Sequence, residues 1–285
     1  MSESKGYSRV PHKKRRKETM LEIINISKTF LPGTVNERKA LDNVSFRMES
    51  GEFITIIGSN GAGKSTLLSA IAGAFPTDSG KVILDGEDIS SMPEYKRSRS
   101  IGRLFQDPLS GTAPGLTIEE NMALVYLQGK KTANSFSRIG KEEREMFRER
   151  LRPLDLGLED RLEQPVGLLS GGQRQALTLL LATLYPPKLL MLDEHTAALD
   201  PGSAERIMTL TKDIVRENRI SCLMVTHNMR QALDAGSRTL IMNAGKIVAD
   251  ISGDERAGMD VGKLTDLFRN AAGSEYANDR MILSS

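Results

Sequence analysis

The 285-residue chain is 39% hydrophobic and 27% charged, with 39 basic against 37 acidic side chains, a balance that argues against wholesale disorder and against a strongly polyanion-binding surface. No nucleic-acid partner is therefore expected. A single cysteine, Cys222, allows no intramolecular disulfide, and three histidines (His12, His195, His227) leave no Cys/His zinc cluster. The longest charge-free apolar stretch, between Arg174 and Lys188, falls short of the roughly 20 residues needed to span a bilayer.

Residues 1–19 carry seven basic side chains against Glu3 and Glu18 and read as a disordered basic tail, leaving the remainder net acidic. MLEIINISKTF, from Met20, reads as an opening strand. Short apolar runs follow at Phe53–Ile57, Val82–Leu84, Leu189–Leu192 and Leu223–Val225. Their brevity and lack of alternation suit strands buried on both faces of a parallel sheet. Helical patterns lie between them: Lys64 to Ala74 after the first run, and Ser203 to Asn218 behind Asp200-Pro201, an N-cap followed by a first-turn proline. Thr239 to Ile251 breaks at Asn243 to Lys246 and reads as a hairpin. From about 107 to 187 strand signals stop. A charged helical pattern (Lys141–Arg152) and an apolar one (Gln173–Tyr185) mark a helical insertion. The expected fold is α/β: a P-loop NTPase core of mainly parallel sheet, with an antiparallel β subdomain and a helical insertion, over residues 20–255. Residues 256–285 read as a polar C-terminal tail.

The strongest signal is GSNGAGKST: Gly58, Ser59, Asn60, Gly61, Ala62, Gly63, Lys64, Ser65 and Thr66. Glycines let such a loop curl so that successive N–H groups face a phosphate, and the following helix adds its N-terminal dipole. Lys64 is placed to reach the β and γ phosphates and Ser65 to ligate Mg2+. In LLMLDEH, Asp193 at the end of a buried strand suits the opposite side of the same metal, and Glu194 suits polarisation of an attacking water. In LSGGQ, Ser170, Gly171, Gly172 and Gln173 open an apolar helix and make a second anion-binding N-terminus.

Taken in order, these motifs resemble the nucleotide-binding subunit of ATP-binding cassette (ABC) transporters over roughly residues 21–253. Further matches are Phe30 in SKTF, Gln106 in LFQDP, Asp200 in the Ala198–Asp200 segment and His227 in MVTHN. The resemblance implies ATP as ligand and a head-to-tail homodimer. Each ATP would be enclosed by the Lys64 loop of one chain and the Ser170 loop of the other. It also implies that Phe30 stacks on adenine, that Gln106 senses the γ phosphate and metal, and that His227 keeps Glu194 and its water in place. It further implies a separate transmembrane permease, in some relatives a solute-binding protein, and a peripheral location on the cytoplasmic face of the membrane. His195 stands where the family usually has proline, and Ala197 where it often has serine; neither replaces an acidic residue of the site. DEHTAALDP resembles a bacterial subgroup serving solute importers, in some cases for amino acids, and LTIEEN (Leu116–Asn121) resembles importer cassettes. A soluble cassette in an assembly role, such as iron-sulfur cluster assembly, fits the same motifs. Translation and DNA-repair cassettes do not, for want of a second cassette or of sustained heptads between Lys64 and Asp193.

Overall fold

The structure, a computed structural model, describes residues 19–129 and 139–272. The expected basic tail, save Thr19, lies outside the described residues. Among the described residues there are ten strands: β1 (Thr19–Phe30), β2 (Arg38–Glu49), β3 (Phe53–Gly58), β4 (Ser79–Leu84), β5 (Glu87–Asp88), β6 (Ile101–Leu104), β7 (Leu189–Asp193), β8 (Ser221–Val225), β9 (Arg238–Asn243) and β10 (Lys246–Ile251). The helices are α1 (Lys64–Ala72), α2 (Glu94–Arg97), α3 (Ile118–Gly129), α4 (Lys141–Leu151), α5 (Gly171–Thr183), α6 (Pro201–Asn218), α7 (Met229–Ala235), α8 (Gly253–Ala257) and α9 (Val261–Ala272).

Two sheets form. The larger runs β10-β9-β3-β8-β7-β6, parallel except for the β9–β10 hairpin, and the smaller, antiparallel one runs β2-β1-β4-β5. In β3, β7 and β8 every residue is buried, which is why their sequences are apolar without alternation. The run Val82–Leu84, expected in the parallel sheet, belongs to the antiparallel one. Val82 and Leu84 are buried while Ile83 is only partly covered, an alternation too short to see in three residues.

α1 lies between the sheets. Leu67, Leu68 and Ile71 are fully buried in a core shared with β1, β2, β3 and β8, each contributing roughly 1.5–3 kcal/mol. Its C-terminal carbonyls are held by the buried Arg97, which donates to Ala70 O and Ile71 O and, from its other nitrogens, to Met92 O and Ser90 O. A second core joins α3, α4, α5 and α6 around Phe147, Leu151, Leu177 and Ile207. Its entry is shaped by the LTIEEN segment. Glu120 accepts from the N–H and hydroxyl of Thr117, whose Oγ1 accepts from Glu120 N, and the buried Asn121 ties Ala113 and Thr117 together.

The C-terminal segment corrects the expected tail. Residues 261–272 form α9, with Leu264 and Phe268 buried against Ile57, Met229 and Ile241, because Val261, Leu264, Phe268 and Ala271 recur at helical spacing. Residues 273–285 lie outside the described residues. Among the described residues no helix is long and apolar enough to cross a membrane.

Candidate nucleotide site

The phosphate loop spans the end of β3 and the start of α1. Gly61 (φ +83°) and Gly63 (φ +101°) adopt left-handed conformations that side chains rarely tolerate. A Cβ at Gly58 would stand 2.4 Å from Met242 O, so only glycine lets β3 pass β9 there. Ser59, Ala62 and Lys64 are buried, Thr66 is partly covered, and Asn60 and Ser65 are exposed at the mouth. Lys64 Nζ donates to Gly58 O at 2.6 Å and to Ser59 O at 3.0 Å, which folds its cation back over the loop.

β7 carries the next two groups to the same edge, since it lies one strand from β3 across β8. Ser65 Oγ donates to Asp193 Oδ1 at 3.0 Å. Burial pushes the Asp193 carboxyl above the usual carboxylate range, with the Ser65 hydroxyl and the charges of Arg103 and Lys64 pulling the other way. A buried carboxylate beside a hydroxyl at the mouth of the loop is an oxygen donor pair suited to a hard cation that keeps water or phosphate as its other ligands. Among the described residues no group of three or more His, Cys, Asp or Glu converges, so no all-protein metal cage competes with this pair.

Glu194 follows in the left-handed region (φ +46°), an unusual conformation for a glutamate, and its N–H donates to Val225 O at the end of β8. His227 leaves the same strand. Its Nδ1 stands 3.5 Å from Glu194 Oε2, and this contact, ahead of the opposing effect of burial, holds the Glu194 carboxyl below its ordinary range. Both residues line a cavity of about 550 Å3. The two loops are also tied together by a residue the sequence did not suggest. Thr226 Oγ1 donates to Gln231 Oε1, and Gln231 Nε2 reaches Thr196 Oγ1 at 3.5 Å.

Gln106 sits exposed in the bend after β6, whose Leu104 pairs with Leu192, so it stands at the same sheet edge as Asp193. Ser170 is the N-cap of α5 and forms a capping box with Gln173, while Gly171 lies against Leu199 and Gly172 against Ser203 of α6. A Cβ at Gly172 would lie 2.9 Å from Ser203 Oγ. Asp200 caps α6, accepting from Ser203 N at 3.0 Å. Ser170, Gly171, Gly172, Gln173 and Asp200 thus form one group, and the phosphate loop with Asp193, Glu194 and His227 another. In the described hydrogen bonds, Ser170 and Gln173 engage each other and Leu156, not the phosphate loop.

Phe30 is 36% exposed at the end of β1. Its ring meets Phe75 edge-on at 5.3 Å, and Lys28 Nζ lies 5.7 Å from its centroid, which fixes the ring before any ligand arrives. Neither Lys28 nor Phe75 was singled out in the sequence. His195 is buried with Nε2 at 3.3 Å from Thr211 Oγ1. The Thr211 hydroxyl already donates to Ile207 O, so the imidazole is the donor in that contact.

A mainly parallel sheet whose phosphate loop opens a buried helix, and whose strand two places away ends in an aspartate held against the loop's serine and followed by glutamate, defines an ATPase core of the P-loop class. The family model for ABC transporters matches residues 41–197. The chain is 41% identical over 253 residues to the tyrosine transport ATP-binding protein of Clostridioides difficile, covering 88% of this chain and 100% of that one. It is 33% identical to the spermidine/putrescine import ATP-binding protein PotA of Haemophilus ducreyi, over 83% of this chain and 59% of that one. Among solved structures, the dimeric post-hydrolysis state of the ATP-binding cassette MJ0796 bound to ADP and Pi superposes with a TM-score of 0.71. It is 30% identical and covers 82% of this chain and 98% of that one. The chain belongs to the ABC transporter family and is an ATPase of that family.

Proposed function

We propose that this chain is the ATP-hydrolysing subunit of a bacterial solute importer and works as a head-to-tail pair on a separate membrane permease. The observation that carries the catalytic reading is the placement of Asp193 and Glu194 at one strand end, the first against Ser65 and the second against His227. Lys64 and the loop N–H groups bind the phosphates of ATP. Ser65 and Asp193 hold Mg2+, with Gln106 at the same edge; the ion, when bound, neutralises charge developing on the phosphates. The Glu194 carboxylate, kept ionised beside His227, orients and polarises the attacking water. Phe30 stacks on adenine. Ser170 and its glycines offer their helix N-terminus to the ATP of the partner chain, and Asp200 belongs to that same face.

Import is supported by the names of the relatives, and an aromatic amino acid by the relative that aligns along its whole length. In the LTIEEN segment, Thr117 and Glu120 cap α3. For the permease, the receiving surface is a groove of about 770 Å3 between β6, α3 and α5, lined by Arg99, Arg103, Phe105, Val125, Leu181 and Tyr185. The pair then sits peripherally on the cytoplasmic face of the membrane. A solute-binding protein is part of the proposal for import.

The experiment is size-exclusion chromatography and phosphate release with the Glu194→Gln chain. It is expected to hydrolyse ATP on the order of 100-fold more slowly or less, and to elute as a dimer with ATP and Mg2+. Undiminished hydrolysis overturns the role of Glu194, and a monomer at saturating ATP overturns the paired site. Tyrosine uptake into vesicles carrying the permease decides the solute.

A further inference from the structure

We infer that Arg38 is a nucleotide-contacting residue of this pocket, its guanidinium directed at the sugar and α-phosphate that join the base to the phosphate loop. The inference rests on the proposed nucleotide reading of Phe30 and of Gly58 to Thr66.

Arg38 opens β2 and is the direct cross-strand partner of Phe30 in the antiparallel ladder, so the two residues sit side by side where the hairpin emerges. From there Arg38 reaches sideways: its Nη2 donates to Gly61 O at 3.0 Å, in the middle of the phosphate loop. The approach is close enough that a Cβ on Gly61 would lie 2.8 Å from the same nitrogen. One exposed side chain therefore runs from the aromatic platform to the loop, along the stretch that the middle of a nucleotide has to cross.

Its chemistry suits that stretch. A guanidinium has five N–H donors in a planar fork and is always charged, and one donor is used here. Among the described residues no carboxylate pairs with Arg38. Lys28, the other cation beside Phe30, is by contrast occupied by Asp78 Oδ1 and Pro76 O. The peptide that Arg38 holds is fixed from its other end as well, since Ala62 N donates to Ser59 O at 3.1 Å. The free donors thus start from a stationary base, which limits the entropy lost on meeting a phosphate oxygen.

The test is calorimetric titration of the full chain with ADP, using Arg38→Ala, Arg38→Lys and Lys64→Ala, together with the KM for ATP. For Arg38→Ala the ADP Kd is expected to rise about tenfold, with the KM for ATP rising alongside. Arg38→Lys, which keeps the charge but not the fork, is expected to fall between the two and serves as the deciding variant should the alanine chain not fold. An ADP Kd within twofold of the unsubstituted chain in both variants overturns the inference, as does a lowered kcat at unchanged KM, which would make Arg38 a brace of the loop alone. Lys64→Ala separates the two levels. If it binds ADP as the unsubstituted chain does, the nucleotide reading of the loop fails; if it loses ADP while both Arg38 variants keep it, only the role of Arg38 fails.

Discussion

The hydroxyl of Ser65 donates to Oδ1 of Asp193 across 3.0 Å, joining the first turn of α1 to the end of β7 over 128 positions of sequence. The bond brings a hydroxyl oxygen and a carboxylate oxygen side by side. Asp193→Asn and Ser65→Ala are therefore expected to raise the Mg2+ concentration giving half-maximal ATP hydrolysis on the order of tenfold or more, with Ca2+ a poorer substitute. Magnesium titrations at fixed ATP read this directly. An unchanged Mg2+ requirement in both variants would remove the metal from this pair.

Gln231 bridges Thr226 and Thr196, and so braces the two loops that bring Glu194 and His227 within 3.5 Å of each other. Loss of a neutral hydrogen bond costs about 1 kcal/mol, which corresponds to roughly fivefold in rate. Gln231→Ala is expected to lower kcat by about that factor while leaving the KM for ATP within twofold. Gln231→Glu keeps an acceptor for Thr226 and is expected to recover part of the loss. A change confined to KM would show that the brace does not act on the reacting pair.

His195 gives the fold an acid limit. Burial lowers its pKa from 6.5 to about 4, so the unfolded chain binds a proton more readily than the folded one throughout that interval. Stability is full above the unfolded value and falls as pH drops from 6.5 towards 4, by about 3 kcal/mol in all. Melting of the chain without nucleotide or divalent metal, compared with His195→Gln, isolates this effect: the substituted chain is expected to show a shallower slope over the same window.

Phe268 is fully enclosed by Ile57, Met229, Ile241 and Leu264. Phe268→Ala is expected to destabilise the chain by about 3–5 kcal/mol, visible as a lowered denaturant midpoint. A tail that merely lay on the surface would give a change near zero.

Much of this arrangement can be read from residue order, for physical reasons. Gly58 to Ser65 announces itself because a phosphate cradle needs glycine at Gly61 and Gly63, where φ is positive, and glycine is a visible letter. The strands β3, β7 and β8 show because burial on both faces leaves them almost wholly apolar, with Thr55, Asp193 and Ser221 the exceptions. What stayed hidden depends on register and rotamer. The pairing of Phe30 with Arg38 follows from a β1–β2 ladder with several bulges, which no local pattern reports. Gln231 lies on a short helix whose side-chain direction matters more than its composition. LTIEEN, read as resembling importer cassettes, also has a local role that its letters do not announce: Thr117, Glu120 and Asn121 close the start of α3. The helix α9 was obscured by charged residues interleaved among its apolar positions.

Arg97 closes the far end of α1, taking Ala70 O and Ile71 O on one nitrogen and anchoring the others to Ser90 and Met92 beside the antiparallel sheet. The phosphate helix is in this way a strut pinned at its tail by a cation while its head awaits an anion. A shift of the helix along its axis is therefore opposed at that end by the two hydrogen bonds from Arg97, which ties the helix to the chain segment between β5 and α2.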